Sequence, residues 1–197
     1  MAIALLKEPP LTLPTELGPY RRKDYESLPD EPRCELIFGR FYLSPSPSVP
    51  HQVAVGIVYQ FLDRIAQTSG GLALPAPADT PLFDHSVVQP DVLYFSAQRR
   101  GLAVDRIGGV PDLVVEVLSP GTARRDRGDK LALYARSGLP EYWIADPAER
   151  QIEFLVHQKG RFVVVLPEGG EYRSPVLAEL RLDIAELWRN VQERLGR

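Results

Sequence analysis

The sequence predicts one α/β domain in which helices flank a central mixed β-sheet and an extra hairpin lies to one side. Three observations carry that prediction. Apolar residues recur at three- and four-residue steps from His51 to Thr68, the period of a helix with one buried face. The run Leu113-Val114-Val115-Glu116-Val117-Leu118 is apolar on both faces, as a strand covered from both sides must be. A second strand of that kind, Glu141-Tyr142-Trp143-Ile144-Ala145, follows after a helix-length interval, and it runs parallel to the first if the helix makes a crossover.

The elements follow in order. Residues 1–20 contain Pro9, Pro10, Pro14 and Pro19 and show no period, so they read as an extended arm that packs on the domain or on a partner. Residues 21–197 make up the single domain. A short helix is expected around Tyr25 to Leu28. Glu35 to Leu43, with Gly39 at its centre, reads as two strand arms about a tight turn. Ser44 to Pro50 is a serine- and proline-rich loop. The long helix places Val53, Ala54, Ile57, Val58, Phe61, Leu62 and Ile65 on one side and ends at Gly70-Gly71. Short strands are expected at Leu72 to Leu74, at Thr80 to Phe83, and from Val87 to Phe95 with Pro90-Asp91 inside it. Ser96 to Gly109 is a polar loop. Ser119-Pro120-Gly121-Thr122 stops the apolar strand, and Thr122 or Asp126 caps a helix that runs to about Ser137 and closes at Gly138. Ile152 to His157 and Phe162 to Leu166 form a hairpin around Lys159-Gly160. The last helix starts at Asp183 as N-cap and buries Ile184, Leu187, Trp188, Val191 and Leu195.

The totals narrow the function. A chain of 197 residues supports one substantial core. Its single cysteine, Cys34, excludes an intramolecular disulfide and a cysteine metal cluster, which fits a reducing cytosol. The apolar stretch Ala2 to Leu6 is too short for a signal-peptide core or a membrane span, so a cytoplasmic protein with no membrane partner is expected. A formal charge of −3 argues against a non-specific nucleic-acid coat, whose binding depends on neutralising phosphates. It leaves room for a nuclease, in which metal-binding acids lower the total while basic residues gather locally. One such gathering is Arg124, Arg125, Arg127 and Lys130.

Glu116 is the first candidate for chemistry. A carboxylate inside Val-Val-Glu-Val-Leu is costly to bury unless it is paired or bound to a metal. An arginine partner would satisfy it; a metal would require a second acid nearby. Asp112 and Asp91 both follow a proline. Asp112 shares a strand with Glu116 but stands about 13 Å away along it. An ion binds oxygens within ~2.6 Å, so those two cannot share one. Asp91 lies on another strand, which can set it beside Glu116, and is the better partner. Lys130 supplies a cation on the helix leaving that strand. Asp126, Lys130 and Tyr134 recur at four-residue steps and share one helix face. A surface pair between Asp126 and Lys130, worth ~0.3–0.5 kcal/mol, is the plainer alternative.

The run from Gly109 through Pro111-Asp112, Glu116 and Ser119-Pro120-Gly121-Thr122, continued by Asp126, Lys130, Tyr134, Gly138 and Glu141-Tyr142-Trp143, resembles the Uma family of putative restriction endonucleases, domain of unknown function 820. Tyr25, Glu35-Leu36, Gly39, His51 and Pro90-Asp91 belong to the same resemblance, which spans about residues 20–190. The family is placed in the PD-(D/E)XK superfamily. The resemblance implies a restriction-endonuclease-like core and a divalent metal, Mg²⁺ or Mn²⁺, held by Asp91 and Glu116 with the Val117 carbonyl. It also implies cleavage of DNA to a 5′-phosphate and a 3′-hydroxyl. The superfamily's lysine two residues after the glutamate is Leu118 here, and in this family the role passes to a helix lysine that maps onto Lys130.

The remaining candidates are Glu35, as a further acid of the metal shell or a salt bridge at a strand edge, and His51. His51 reads as a proton shuttle, a hydrogen-bond partner of a ligand, or only a polar residue at the helix start. Arg124, Arg125 and Arg127 are candidates for contacting a nucleic-acid backbone, or for a solvated helix start. Gln89 is placed to orient a phosphate. The rival functions are an inactive nuclease-fold module that binds nucleic acid or protein, and a two-carboxylate glycosidase, which the basic residues disfavour. The proline-rich arm and the hairpin make a homodimer plausible.

Overall fold

A computed structural model describes residues 17–44 and 46–197. Most of the proline-rich arm, residues 1–16, and Pro45 of the following loop lie outside the described residues. The chain runs through α1 (Arg22–Glu26), β1 (Cys34–Ile37), β2 (Arg40–Leu43), α2 (Val49–Ser69), β3 (Leu72–Pro75), β4 (Thr80–Phe83), β5 (Ser86–Val88) and β6 (Val92–Phe95). It continues with β7 (Leu113–Val117), α3 (Ala123–Arg125), a π-helical turn (Asp126–Lys130), α4 (Leu131–Ser137), β8 (Glu141–Asp146), β9 (Gln151–Gln158) and β10 (Arg161–Val164). The short pair β11 (Glu171–Arg173) and β12 (Arg181–Asp183) leads into α5 (Ile184–Arg194).

The central sheet has six strands in the order β10-β9-β8-β7-β6-β3. The pair β7–β8 is parallel and its other neighbours are antiparallel, so the sheet is mixed and α3–α4 forms the crossover. The β9–β10 hairpin continues this sheet as one flank. Every residue of β7 is buried, and its side chains alternate between two cores. Leu113, Val115 and Val117 point to one side, where Ala54, Ile57, Val58 and Leu62 of α2 meet Leu187, Trp188 and Val191 of α5. Val114 points to the other, with Leu133 and Tyr134 of α4 and with Ile37 and Val88 of a second sheet. That four-stranded sheet, β2-β1-β5-β4, lies with α4 on the face toward which Glu116 must point.

Local chemistry fixes the ends. Ser48 caps α2 through its hydroxyl, which accepts from the His51 backbone N–H, and Gly70 ends the helix in the left-handed conformation at φ 80°. Asp183 caps α5 by accepting from the Glu186 N–H. Phe38 and Gly39, at φ 49° and 76°, make the tight β1–β2 turn. Gly39 also meets the Gly18 carbonyl so closely that a Cβ there would stand 2.3 Å from that oxygen.

Two expectations are corrected. Val87 to Phe95 is not one strand. Pro90 lacks an N–H to give to a ladder, and the Gln89 N–H is taken by the Glu35 side chain at 2.8 Å. The chain therefore leaves the small sheet after Val88 and enters the central sheet at Val92. The helix after Thr122 is capped neither by Thr122, whose hydroxyl turns back to Ser119 at 3.1 Å, nor by Asp126, which lies inside it. Its middle widens into the π-turn, a device that recurs at functional sites.

Candidate active site

Asp91 and Glu116 meet through sheet register. The β6–β7 ladder pairs Val92 with Val115, so the next step sets Asp91 opposite Glu116 on the same face. Asp91 Oδ2 accepts from the Val117 N–H at 2.7 Å, which anchors it to the end of β7. His51, in the first turn of α2, brings Nε2 to 3.4 Å from the same oxygen. Asp112, at the other end of β7, is engaged elsewhere: it accepts from the Ser96 N–H at 2.7 Å and pairs with Arg99 at 3.3 Å.

Lys130 enters from the π-turn. Its Nζ lies 2.8 Å from Glu116 Oε1 and 2.9 Å from Glu35 Oε1, with Asp126 Oδ1 at 3.8 Å. Tyr134, one turn along on α4, donates its hydroxyl to Glu116 Oε1 at 2.7 Å. Glu35 comes from β1 and is held by the Gln89 N–H and by Arg125, 3.7 Å away, whose guanidinium stacks 4.5 Å from the Tyr42 ring. Glu35, Glu116, Asp126 and Lys130 are each less than 5% exposed. The plainer reading of Asp126 and Lys130 as a surface pair is therefore excluded.

The electrostatics follow from this crowding. Burial pushes the Glu116 carboxyl well above the usual carboxylate range; Lys130 pulls the other way, while Asp126, Asp91 and Glu35 add to the rise. Burial also raises Asp126, against Lys130. For Lys130 burial alone would favour the neutral amine, but Glu116, Glu35 and Asp126 outweigh it and hold the ammonium above the ordinary lysine value. Burial opposes charge on His51 as well, yet Asp91 and the Val117 carbonyl raise its pKa above 6.5.

Among the described residues no three Asp, Glu, His or Cys side chains stand close enough to hold a metal ion by themselves. The donor set nevertheless fits a hard divalent cation of the Mg²⁺ kind, which takes one or two carboxylates and leaves its other positions to water and phosphate. Two buried polar atoms without a hydrogen-bond partner, His51 Nδ1 and Asp126 Oδ1, belong to this cluster.

The structure thus brings together Asp91, Glu116, Lys130, Glu35, His51, Asp126 and Tyr134. It separates the three arginines: Arg125 turns inward to Glu35, Arg127 reaches Glu153 at 2.6 Å and Asp146 at 3.9 Å, and Arg124 is exposed. The Gln89 amide is occupied by Asp79 at 2.8 Å and Tyr25 at 3.2 Å. Sequence reasoning missed Tyr42, which backs Arg125 and donates to Asp129 at 3.4 Å, because nothing distinguishes it from any strand aromatic. It also missed a buried acid outside this cluster, Glu141, held by Trp143 Nε1 at 2.6 Å, by the Tyr172 hydroxyl at 2.8 Å and by the Ser174 hydroxyl. An acid opening an apolar strand was the available signal.

Comparison with known proteins bears on fold and family. No curated protein matches the chain. Among solved structures, that of "a putative nuclease belonging to DUF820" from Anabaena variabilis ATCC 29413 superposes with a TM-score of 0.73 at 19% identity, covering 88% of this chain and 99% of that one. The likeness is one of fold. In the described residues no helix is long and apolar enough to cross a membrane. The model of the Uma2 family, described as "putative restriction endonuclease", matches residues 22–185, so the chain belongs to that family.

Proposed function

We propose that the protein is a metal-dependent endonuclease that hydrolyses phosphodiester bonds in DNA. The observation that carries this reading is the facing pair Asp91 and Glu116 beside the buried ammonium of Lys130, in a chain of nuclease family and fold. Asp91, Glu116 and the Val117 carbonyl would hold Mg²⁺ or Mn²⁺. Such an ion, when bound, supplies Lewis-acid polarisation of the phosphate and a water of lowered pKa. The protein's own groups do the rest. His51 and the Val117 N–H orient Asp91, and Tyr134 fixes Glu116. Lys130 offers positive charge to the phosphate as negative charge builds on it. Arg124, exposed at the start of the crossover helix, is free to meet the backbone of the nucleic acid, and Arg125 secures Glu35.

The test is nicking of supercoiled DNA in Mg²⁺ or Mn²⁺ by the wild type, by Glu116→Ala and by Asp91→Asn. Cleavage by the wild type and loss of at least ~10²-fold in both variants is expected, the scale on which removing one group of a preorganised site acts. Equal nicking by all three would overturn the assignment. Binding of DNA with no cleavage in either metal would support instead an inactive nuclease-fold module.

A further inference from the structure

The centre holds more acid than base. Three carboxylates, Glu116, Glu35 and Asp126, converge on one lysine; Asp91 stands opposite Glu116 with His51 beside it, and Arg125 reaches only Glu35. The Lys130 ammonium is 4% exposed, donates to Glu116 and stands in an ion pair with Glu35. It is directed at acid, away from solvent, where a scissile phosphate would have to approach. Asp126 Oδ1, 2% exposed as a residue, has no hydrogen-bond partner, so the single ammonium does not satisfy the acids around it.

From this arrangement we infer that Lys130 is the resident counter-ion of the metal-free centre, and that its release from Glu116 is linked to metal uptake. The inference rests on the reading of Asp91 and Glu116 as metal ligands. Lys130 occupies Glu116 Oε1, one of the oxygens a cation would need, and a monovalent charge leaves the acid surplus uncorrected. A divalent charge corrects it and competes directly with the ammonium. Release is structurally feasible. Arg125 already stands against Glu35 Oε2, so Glu35 keeps a partner when Lys130 leaves. The lysine stem is flexible and hangs from the π-turn. Lys130 is thus armed for phosphate by the event that completes the site, and it is withheld before that event.

Two measurements test the link without reading catalysis. The first is calorimetric titration of Mn²⁺ into the full chain, wild type against Lys130→Met. Removing the competing charge should tighten binding by roughly tenfold or more, the change expected from deleting one like charge a few ångströms from the ion. Equal or weaker binding by the variant overturns the inference and leaves the metal reading standing. No Mn²⁺ uptake by either protein overturns both. The second needs no variant. Wild-type protein is treated with an amine-acylating reagent with and without saturating Mg²⁺, and Lys130 is followed by peptide mass spectrometry. Protection without metal and labelling with it is the expected result. Unchanged labelling at saturation overturns the linkage.

Discussion

Replacing Glu116 by Gln should make the metal-free protein more stable while abolishing cleavage. In favour of the Glu116 charge is its contact with Lys130 at 2.8 Å. At an effective interior dielectric of ~20 that pair is worth about 6 kcal/mol of Coulomb attraction. Against the charge stands the desolvation of a buried carboxylate, several kcal/mol after relaxation. At the same dielectric, two ionised carboxylates ~6 Å apart would repel by roughly 3 kcal/mol. Glu35, Asp126 and Asp91 all act in that direction, so the balance goes against ionisation, as the raised carboxyl indicates. Glutamine keeps an acceptor for Lys130 Nζ and the Tyr134 hydroxyl, and Lys130 keeps Glu35 as its charge partner at 2.9 Å. The expected gain is on the order of 1–2 kcal/mol, which for a domain of this size raises Tm by about 2–8 °C. Calorimetry in chelator-treated buffer, with a nicking assay in Mg²⁺ alongside, measures both effects. A loss of more than about 1 kcal/mol would show that Lys130 depends on the Glu116 anion, and would refute the claim of surplus acid.

Two further outcomes follow from groups outside the centre. Glu141 is fully buried, and burial raises its carboxyl above the ordinary 4.5 although three hydrogen bonds pull the other way. A folded pKa above the unfolded one gives stability that is full at low pH and is lost as pH rises through the folded value, so Glu141→Gln should gain on the wild type as pH rises from about 4 to 8. Urea midpoints across that range check this, and a pH-independent gap would refute it. Gly39→Ala forces a side chain into φ 76° and a Cβ to 2.3 Å from the Gly18 carbonyl. A cost of about 2–3 kcal/mol is expected by denaturant unfolding, and an unshifted midpoint would mean that the turn rearranges freely.

Much of the architecture was legible because periodicity reports burial. The two-sided apolarity of β7 and β8, the α2 stripe and the Asp183 cap each appear as a local pattern, and the structure follows each of them. What a one-dimensional pattern does not carry is which sheet a strand joins. Val87-Val88 and Val92–Phe95 are both apolar, and only Pro90 between them hints that the chain changes sheets there. The π-turn is hidden for a related reason. Asp126, Lys130 and Tyr134 keep α-helical spacing in sequence, so nothing in their order marks the widening. At the centre, elimination of Asp112 singled out Asp91, but the fan of acids around Lys130 depends on Glu35, whose approach is decided by the packing of one sheet on another. The arginine run looked like one surface because the residues are adjacent. On a helix start adjacent residues diverge, and these three do.

The break at Gln89-Pro90-Asp91 has a consequence for how the molecule comes together. Glu35 belongs to one sheet, Glu116 to the other with Asp91 just ahead of β6, and Lys130 to the crossover helix on the same face, so the ionic cluster works as a clasp across the seam. The cluster is complete only when Glu35 and Lys130, far apart in the chain, have closed on each other. Loop closure of that length must come before any reward from the contact itself. A half-formed chain therefore carries scattered, solvated acids with ordinary properties, and the dense charge arises with tertiary structure. An amine acylator, which reaches Lys130 in a solvated chain and not once it is buried, would report when the two sheets dock, serving as a folding clock built into the protein's own chemistry.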